Sequence, residues 1–253
     1  MIQYSILRLI GRHVRGFWGA LAAYFTLGAA FAALVAAVFA ALSIIVEGGF
    51  TQDPDERVLE WIAQHRTPAL DRVMLDLTTL GDGVVVVMLV VVTSTFLWLT
   101  QHRWSVYILV AGVIGGKVLN NLLKLLFARP RPTIVEGIDM VSSPSFPSGH
   151  AMSAIIAYGS VAYLIARLGP TRRLRNATWV VAGLLILGIG SSRMYLGVHY
   201  PSDVLGGFLA GSAWLTFVAS SVIAVRFFAP RRPDTQLEER DLHADADQAS
   251  APP

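Results

Sequence analysis

Uncharged apolar runs divide the chain into segments of similar kind. Phe17 to Val46 is thirty residues without a charge. Val84 to Thr100 and Val106 to Phe127 follow, the latter interrupted by Lys117 and Lys124; Ala151 to Ala166, Ala177 to Ser192 and Val204 to Val225 complete the set. A spanning helix takes about 20 apolar residues, within about 17–25, so the shorter runs predict helices that recruit flanking residues. The Val-rich run at 84–100 has strand propensity, but strands extend over about 4–8 residues and its length predicts a helix. In lipid the backbone must satisfy its own hydrogen bonds, which leaves helices for all six runs. The pattern therefore predicts an all-α fold, a six-transmembrane-helix bundle. Between the first two runs, Val58 and Ile62, then Leu70, Val73, Met74 and Leu77, recur near helical spacing. That stretch predicts a helical loop, either lying in the membrane interface or packed as a surface helix on the bundle.

Composition agrees with a membrane chain: 54% of the 253 residues are hydrophobic and 15% are charged. A soluble domain carries about 25% charged residues, so a soluble globule and a disordered chain are both excluded. With no cysteine, disulfides, thiolate zinc sites and cysteine nucleophiles are excluded too. The net charge of +3 is small, and its distribution is more informative. Arg8, Arg12, Arg15, Arg103, Arg167, Arg172, Arg173, Arg175, Arg226, Arg231 and Arg232 all flank the runs on one side, without an acid among them before the tail. The intervening segment Glu47 to Gly83 carries eight acids and three arginines. Basic residues stay cytoplasmic, which predicts cytoplasmic termini and outward loops after the first, third and fifth helices. A cleavable apolar region is about 7–15 residues; the first run is far longer, so an uncleaved helix is expected. The expected organisation is a cytoplasmic N-terminal segment at 1–16, a membrane domain at 17–228 and a disordered tail at 229–253. Arginine far above lysine, with abundant Ala and Val, suggests a bacterial gene, hence a bacterial inner membrane.

The informative polar residues sit at the outward ends of the third to sixth helices. The third helix closes on Lys124-Leu-Leu-Phe-Ala-Arg129-Pro130-Arg131-Pro132, where the prolines stop the helix and hold three cations near its end. Ser145-Phe146-Pro147-Ser148-Gly149-His150 leads into the fourth. There Ser148 is a candidate N-cap, Gly149 allows close backbone approach, and the free N–H groups of a helix start form an anion site. Between the fifth and sixth helices, Ser192-Arg193 is followed by His199, Pro201 and Asp203. Asp203 lies four residues after His199, one helical turn, so its carboxylate can fix one ring nitrogen and free the other to attack or ligate. Taken singly, each segment also reads as an anchor, a capping turn or a helix-dipole partner. Together they compose a site for a phosphate-like anion, with one histidine to attack and the other to donate a proton. No carboxylate cluster accompanies them, so a two-metal site is not expected; a histidine pair could hold zinc, but the nearby cations oppose it, and no cofactor is expected.

Those three segments, in that order, resemble the type 2 phosphatidic acid phosphatase (PAP2) family, integral membrane branch. Its motifs are matched by Lys124 through Arg131-Pro132, by Pro147-Ser148-Gly149-His150, and by Ser192-Arg193 with His199 and Asp203. The likeness extends from about Leu80 to Phe228. It implies metal-independent hydrolysis of a lipid phosphate or diphosphate through a phosphohistidine. In that mechanism His199 attacks, Asp203 orients it and His150 protonates the leaving alkoxide. Lys124, Arg131, Arg193 and the amides near Ser148 and Gly149 bind the phosphoryl group. Undecaprenyl diphosphate, phosphatidic acid and phosphatidylglycerol phosphate are the substrate options. The partners implied are this lipid and the surrounding membrane, with no nucleic acid and no obligate protein. Two rivals fit less well: a lipid or anion transporter using the same cations, which would need polar groups along a path to both faces, and an oxidoreductase like the vanadium haloperoxidases, which share the motifs but are soluble, against the six apolar runs. Arg129 falls outside the motif spacing and reads as supporting or interfacial. Lys117, with Asn120, Asn121 and Lys124, reads as a polar stripe or as a group for head-group access.

Overall fold

The computed structural model describes residues 26–133, 143–168 and 171–228. The N-terminal arginines, the tail and residues 17–25 of the first run lie outside them. Helix α1 spans Thr26–Glu47. It is followed by α2 (Gln52–Gln64), α3 (Pro68–Leu80), α4 (Gly83–Leu99), α5 (Arg103–Phe127), α6 (Gly149–Leu168), α7 (Arg172–Tyr195) and α8 (Pro201–Phe228). The described residues contain no strand, so length outweighs valine propensity in α4. Five helices (α1, α5, α6, α7 and α8) are long and apolar enough to cross a membrane. A sixth results if α3 and α4, bent by 49° at their junction, count as one span.

Local chemistry sets the helix ends. Thr67 caps α3 by accepting from Leu70 N–H at 3.3 Å, with Pro68 in the first turn. Thr171 caps α7 likewise, through Leu174 N–H at 3.2 Å. This cap draws Arg172, Arg173 and Arg175 onto the first turn of α7, although the apolar pattern alone leaves them in a loop. Cations there oppose the helix dipole, but all three are exposed and solvated. At its other end α7 runs on through Ser192, Arg193, Met194 and Tyr195, because no breaker intervenes before Gly197 at φ 73°. The run ending at Ser192 thereby gains Arg193, which the motif had placed between the fifth and sixth helices: both face inward from the last helical turn and are buried.

Helix α6 is the hub and packs on α5, α7 and α8. Its Ala151, Ala154 and Ala157 are fully buried, and α8 answers with Gly206, Gly207 and Gly211. Small residues allow close backbone approach where no hydrophobic effect drives helices together. At Gly207 a Cβ would lie 2.5 Å from the Ser148 carbonyl oxygen, so this glycine sets the spacing between the start of α6 and α8. Outward positions are apolar: Val87, Val91 and Val92 on α4, and Val180, Val181 and Leu184 on α7, are exposed. A contiguous apolar exterior of this kind is solvated by hydrocarbon. Helix α3 lies along α7, and α2 sits over the ends of α7 and α8.

Candidate active site

Antiparallel packing brings the end of α5, the start of α6, the end of α7 and the start of α8 to one end of the bundle, where α2 and α3 also dock. Helix α5 stops at Ala128, which takes a left-handed φ of 44°, and Pro130 prevents continuation. The returning segment Ser143–Ser148 is pinned beside it. Ser145 N–H donates to Arg129 O at 2.9 Å and its hydroxyl to Pro130 O at 2.9 Å. Phe146 is fully buried against Phe39 and Phe127, with ring centroids 5.6 and 5.1 Å away. Asn120 of α5 donates to Pro147 O at 3.3 Å, and Ser148 N–H donates to Asp203 O at 2.9 Å, tying α6 to α8.

Each residue singled out from the sequence has a definite place here. Lys124 is buried in the last turn of α5, where its Nζ donates to Pro144 O. Arg131 clamps the returning segment, donating from Nε to Ser143 O at 2.7 Å and from Nη1 to Val198 O at 2.5 Å. The same Nη1 lies 3.3 Å from His199 Nε2. Arg193, 2% exposed, donates to Thr78 Oγ1 of α3 at 2.7 Å. His150 follows Gly149 in the first turn of α6. A Cβ on Gly81, at the α3–α4 bend, would sit 3.0 Å from the His150 ring, so that bend leaves the ring its room. Arg193, His199, Lys117 and Arg131 are all close enough to act electrostatically on His150. Ser148 departs from expectation. Its carbonyl accepts the first helical bond, from Met152 N–H at 3.1 Å, but its buried hydroxyl caps nothing and has no partner among the described residues.

His199 and Asp203 stand one helical turn apart, as their spacing requires. His199 is 2% exposed and Asp203 is fully buried. Nδ1 of the ring lies 3.4 Å from Asp203 Oδ2, which also accepts Tyr200 N–H at 2.9 Å. With Nδ1 on the carboxylate, Nε2 is the nitrogen turned to Arg131. Burial pushes the His199 imidazole down to about 4; the Asp203 hydrogen bond and charge oppose this, while Arg131 and Lys124 reinforce it. A neutral ring with Nε2 presented to cations is suited to attack on an electrophilic, anionic centre. Among the described residues, no three His, Asp or Glu side chains gather as a metal-ligand set.

The sequence reading missed partners that come from the acidic segment. Asp55 of α2 is 4% exposed and bonds Ser202 and Arg129; Thr78 of α3 holds Arg193. One signal was available: Asp55 lies one turn before Leu59, the two residues that α2 buries. Arg129 is buried, not interfacial. The stripe on α5 divides: Asn120 and Lys124 point inward, whereas Lys117 and Asn121 are exposed.

Comparison with known proteins places the chain among relatives. Residues 104–227 match the family model of the PAP2 superfamily. Phosphatidylglycerophosphatase B of Bacillus subtilis is 31% identical over 174 residues, which cover 68% of this chain and 85% of the relative. The undecaprenyl-diphosphatase BcrC of the same organism is 33% identical over 150 residues, 56% of this chain and 69% of the relative. Among solved structures, the transmembrane PAP2 type phosphatidylglycerolphosphate phosphatase from Bacillus subtilis superposes with a TM-score of 0.72 at 28% identity, covering 78% of this chain and 98% of that one. Aquifex aeolicus LpxE gives 0.53 at 27% identity, over 64% and 93%.

Proposed function

Since the chain belongs to the PAP2 superfamily and is a phosphatase, we propose that it hydrolyses a lipid phosphate or diphosphate without a metal, through a phosphohistidine on His199. The observation that carries this reading is the line from buried Asp203 through buried His199 to half-buried Arg131, at 3.4 and 3.3 Å. The phosphoryl group docks among Lys124, Arg131 and Arg193, with the Ser148 hydroxyl and the Gly149 N–H as further donors. Its oxygens thereby meet fixed positive charge, which is the main requirement of phosphoryl transfer. Nε2 of His199 attacks phosphorus; the N–P bond forms as the bond to the lipid oxygen breaks. His150 gives its proton to that oxygen, then takes one from the water that cleaves the N–P bond and releases phosphate. Asp203 keeps the ring oriented and balances its charge.

The apolar exterior supports a substrate whose tail stays in hydrocarbon while its phosphate reaches the site. The relatives support phosphatidylglycerol phosphate and undecaprenyl diphosphate as first candidates, with phosphatidic acid as the third. We read α4, 17 residues long, as the second of six spans, in a membrane domain of 17–228 with its PAP2-like core at about 80–228. The α2–α3 segment lies at the interface on the outer face of a bacterial inner membrane, and both termini are cytoplasmic. The test is phosphate release by detergent-purified protein from these three lipids and from a soluble phosphate ester, with EDTA, beside His199→Ala. EDTA-resistant release that disappears in the variant is expected. Release that persists in His199→Ala would refute the mechanism, and the ranking of lipids identifies the substrate.

A further inference from the structure

Asp203 is held by more than His199 and the Tyr200 amide. Its Oδ1 accepts from Arg129 Nη1 at 2.7 Å. Arg129 is itself fixed on several sides. Nη1 also donates to Ser202 Oγ at 2.8 Å, Nη2 donates to Asp55 Oδ2 at 3.0 Å and to Gln52 Oε1 at 3.2 Å, and the guanidinium lies 4.1 Å over the Tyr200 ring. Asp55 closes the circuit by accepting the Ser202 N–H at 3.0 Å and the Ser202 hydroxyl. The three charged groups are 9%, 4% and 0% exposed for Arg129, Asp55 and Asp203.

A buried carboxylate–guanidinium–carboxylate chain is a poor device for stability, since its desolvation offsets most of its Coulombic gain and an apolar trio of equal volume does as well. It is a good device for orientation. Arg129 presents two donors in a rigid plane. One fixes the far oxygen of Asp203, which leaves the near oxygen aimed at Nδ1 of His199. The other is anchored to a helix that belongs to the acidic segment between α1 and α4.

We propose that Arg129 and Asp55 are positioning residues for phosphoryl transfer: Arg129 sets the orientation and the effective charge of Asp203, and Asp55 holds Arg129 in place from α2. The α2 helix is then a strut of the catalytic centre. This assignment rests on the phosphatase reading above. Its electrostatic consequence follows from sign alone. His199 faces Asp203 from α8, Arg131 beyond α5, Lys124 on α5 and His150 on α6. Removing the Arg129 cation leaves Asp203 unneutralised, which stabilises the His199 imidazolium; removing the Asp55 anion acts in the opposite sense.

The test measures phosphate release from phosphatidylglycerol phosphate by purified wild type, Arg129→Gln, Arg129→Lys, Asp55→Asn and the Arg129→Gln/Asp55→Asn double variant, across pH. Groups that orient a reacting group through one intermediary cost about 10–100-fold in activity when removed. Arg129→Gln is expected to lose kcat in that range, with KM changed less than about threefold, and to shift the acid limb of kcat/KM to higher pH. Arg129→Lys should restore the limb but only part of kcat. Asp55→Asn should lose about tenfold in kcat with no upward shift, and the double variant should be no worse than Arg129→Gln. Lower melting temperatures with kcat and the acid limb unmoved would mean a structural role and overturn the assignment. If Arg129→Gln cannot be obtained folded, wild-type kcat in Asp55→Asn overturns it by itself. No release by the wild type from any of the three candidate lipids would overturn the phosphatase reading and this assignment together, whereas release by the wild type that Asp55→Asn leaves unchanged defeats only the assignment.

Discussion

Substituting Gly207 by alanine tests whether the distance between α6 and α8 controls catalysis. The added Cβ would meet the Ser148 carbonyl oxygen at 2.5 Å, the Ala151 Cβ at 2.9 Å and the Met152 amide nitrogen at 3.2 Å. None of these is the tip of a flexible side chain. Ordinary contact begins near 3.4 Å, so the start of α6 must retreat by roughly 0.9 Å. The Ser148 N–H bond to Asp203 O, now 2.9 Å, joins the same two helix ends and is stretched with them. His150 rides on α6, while Asp203 sits in the first turn of α8 and His199 just before it, so the proposed acid and nucleophile separate. Overpacking costs about 1–3 kcal/mol of stability, and displacing a catalytic group by about 1 Å costs about 100-fold in rate. The expected result is folded protein with a lower melting temperature and kcat/KM for phosphate release reduced about 100-fold. Gly183→Ala is the control: on α7, where its Cβ meets nothing within 4 Å, it should keep full activity and gain up to about 1 kcal/mol from helix propensity. Activity of Gly207→Ala within threefold of wild type, at an unchanged melting temperature, would refute the reasoning.

Four further outcomes follow. Ser148→Ala removes a buried hydroxyl that has no protein partner among the described residues, so melting should be unchanged or raised while kcat/KM falls about 10–100-fold, the cost of a lost transition-state donor at about 1.5–3 kcal/mol. Asp203→Asn keeps the volume but removes the charge that orients His199, and a loss of kcat of about 1000-fold or more is expected by single-turnover assay. Burial holds His199 at about 4 against an ordinary 6.5. The unfolded chain therefore binds a proton between those values that the folded chain refuses, and this histidine's contribution to stability is lost as pH falls through that window. Melting of the wild type should accordingly decline more steeply from pH 6.5 to 4 than that of His199→Asn, and the acid limb of kcat/KM should lie well below 6.5. Thr78→Val deletes the 2.7 Å bond to Arg193, and a charge-assisted bond of about 1.5 kcal/mol corresponds to about tenfold in kcat/KM.

Much of this protein is written in local pattern. Apolar runs of spanning length can only be helical in lipid, so the bundle follows from hydropathy. The four-residue step from His199 to Asp203 fixes their approach because Pro201 starts a helix there. The prolines after Phe127 place Arg129 and Arg131 just beyond a helix end. Other features depend on which segments meet. Arg193 lies inside α7 rather than in a loop, because a helix continues until something stops it and Gly197 is the first residue to do so. Ser148 has the sequence position of a cap, yet its buried hydroxyl caps nothing among the described residues, while its N–H is taken by Asp203 O of α8. Asp55 is one of eight acids in a segment that reads as an interfacial or surface helix, and its partner Arg129 is 74 residues away. Periodicity reports which face of a helix is buried, not which group waits on the other side. That pairing is set by how closely α6 and α8 approach across their alanines and glycines and by where α2 lands on the resulting end, and only the folded chain brings those together.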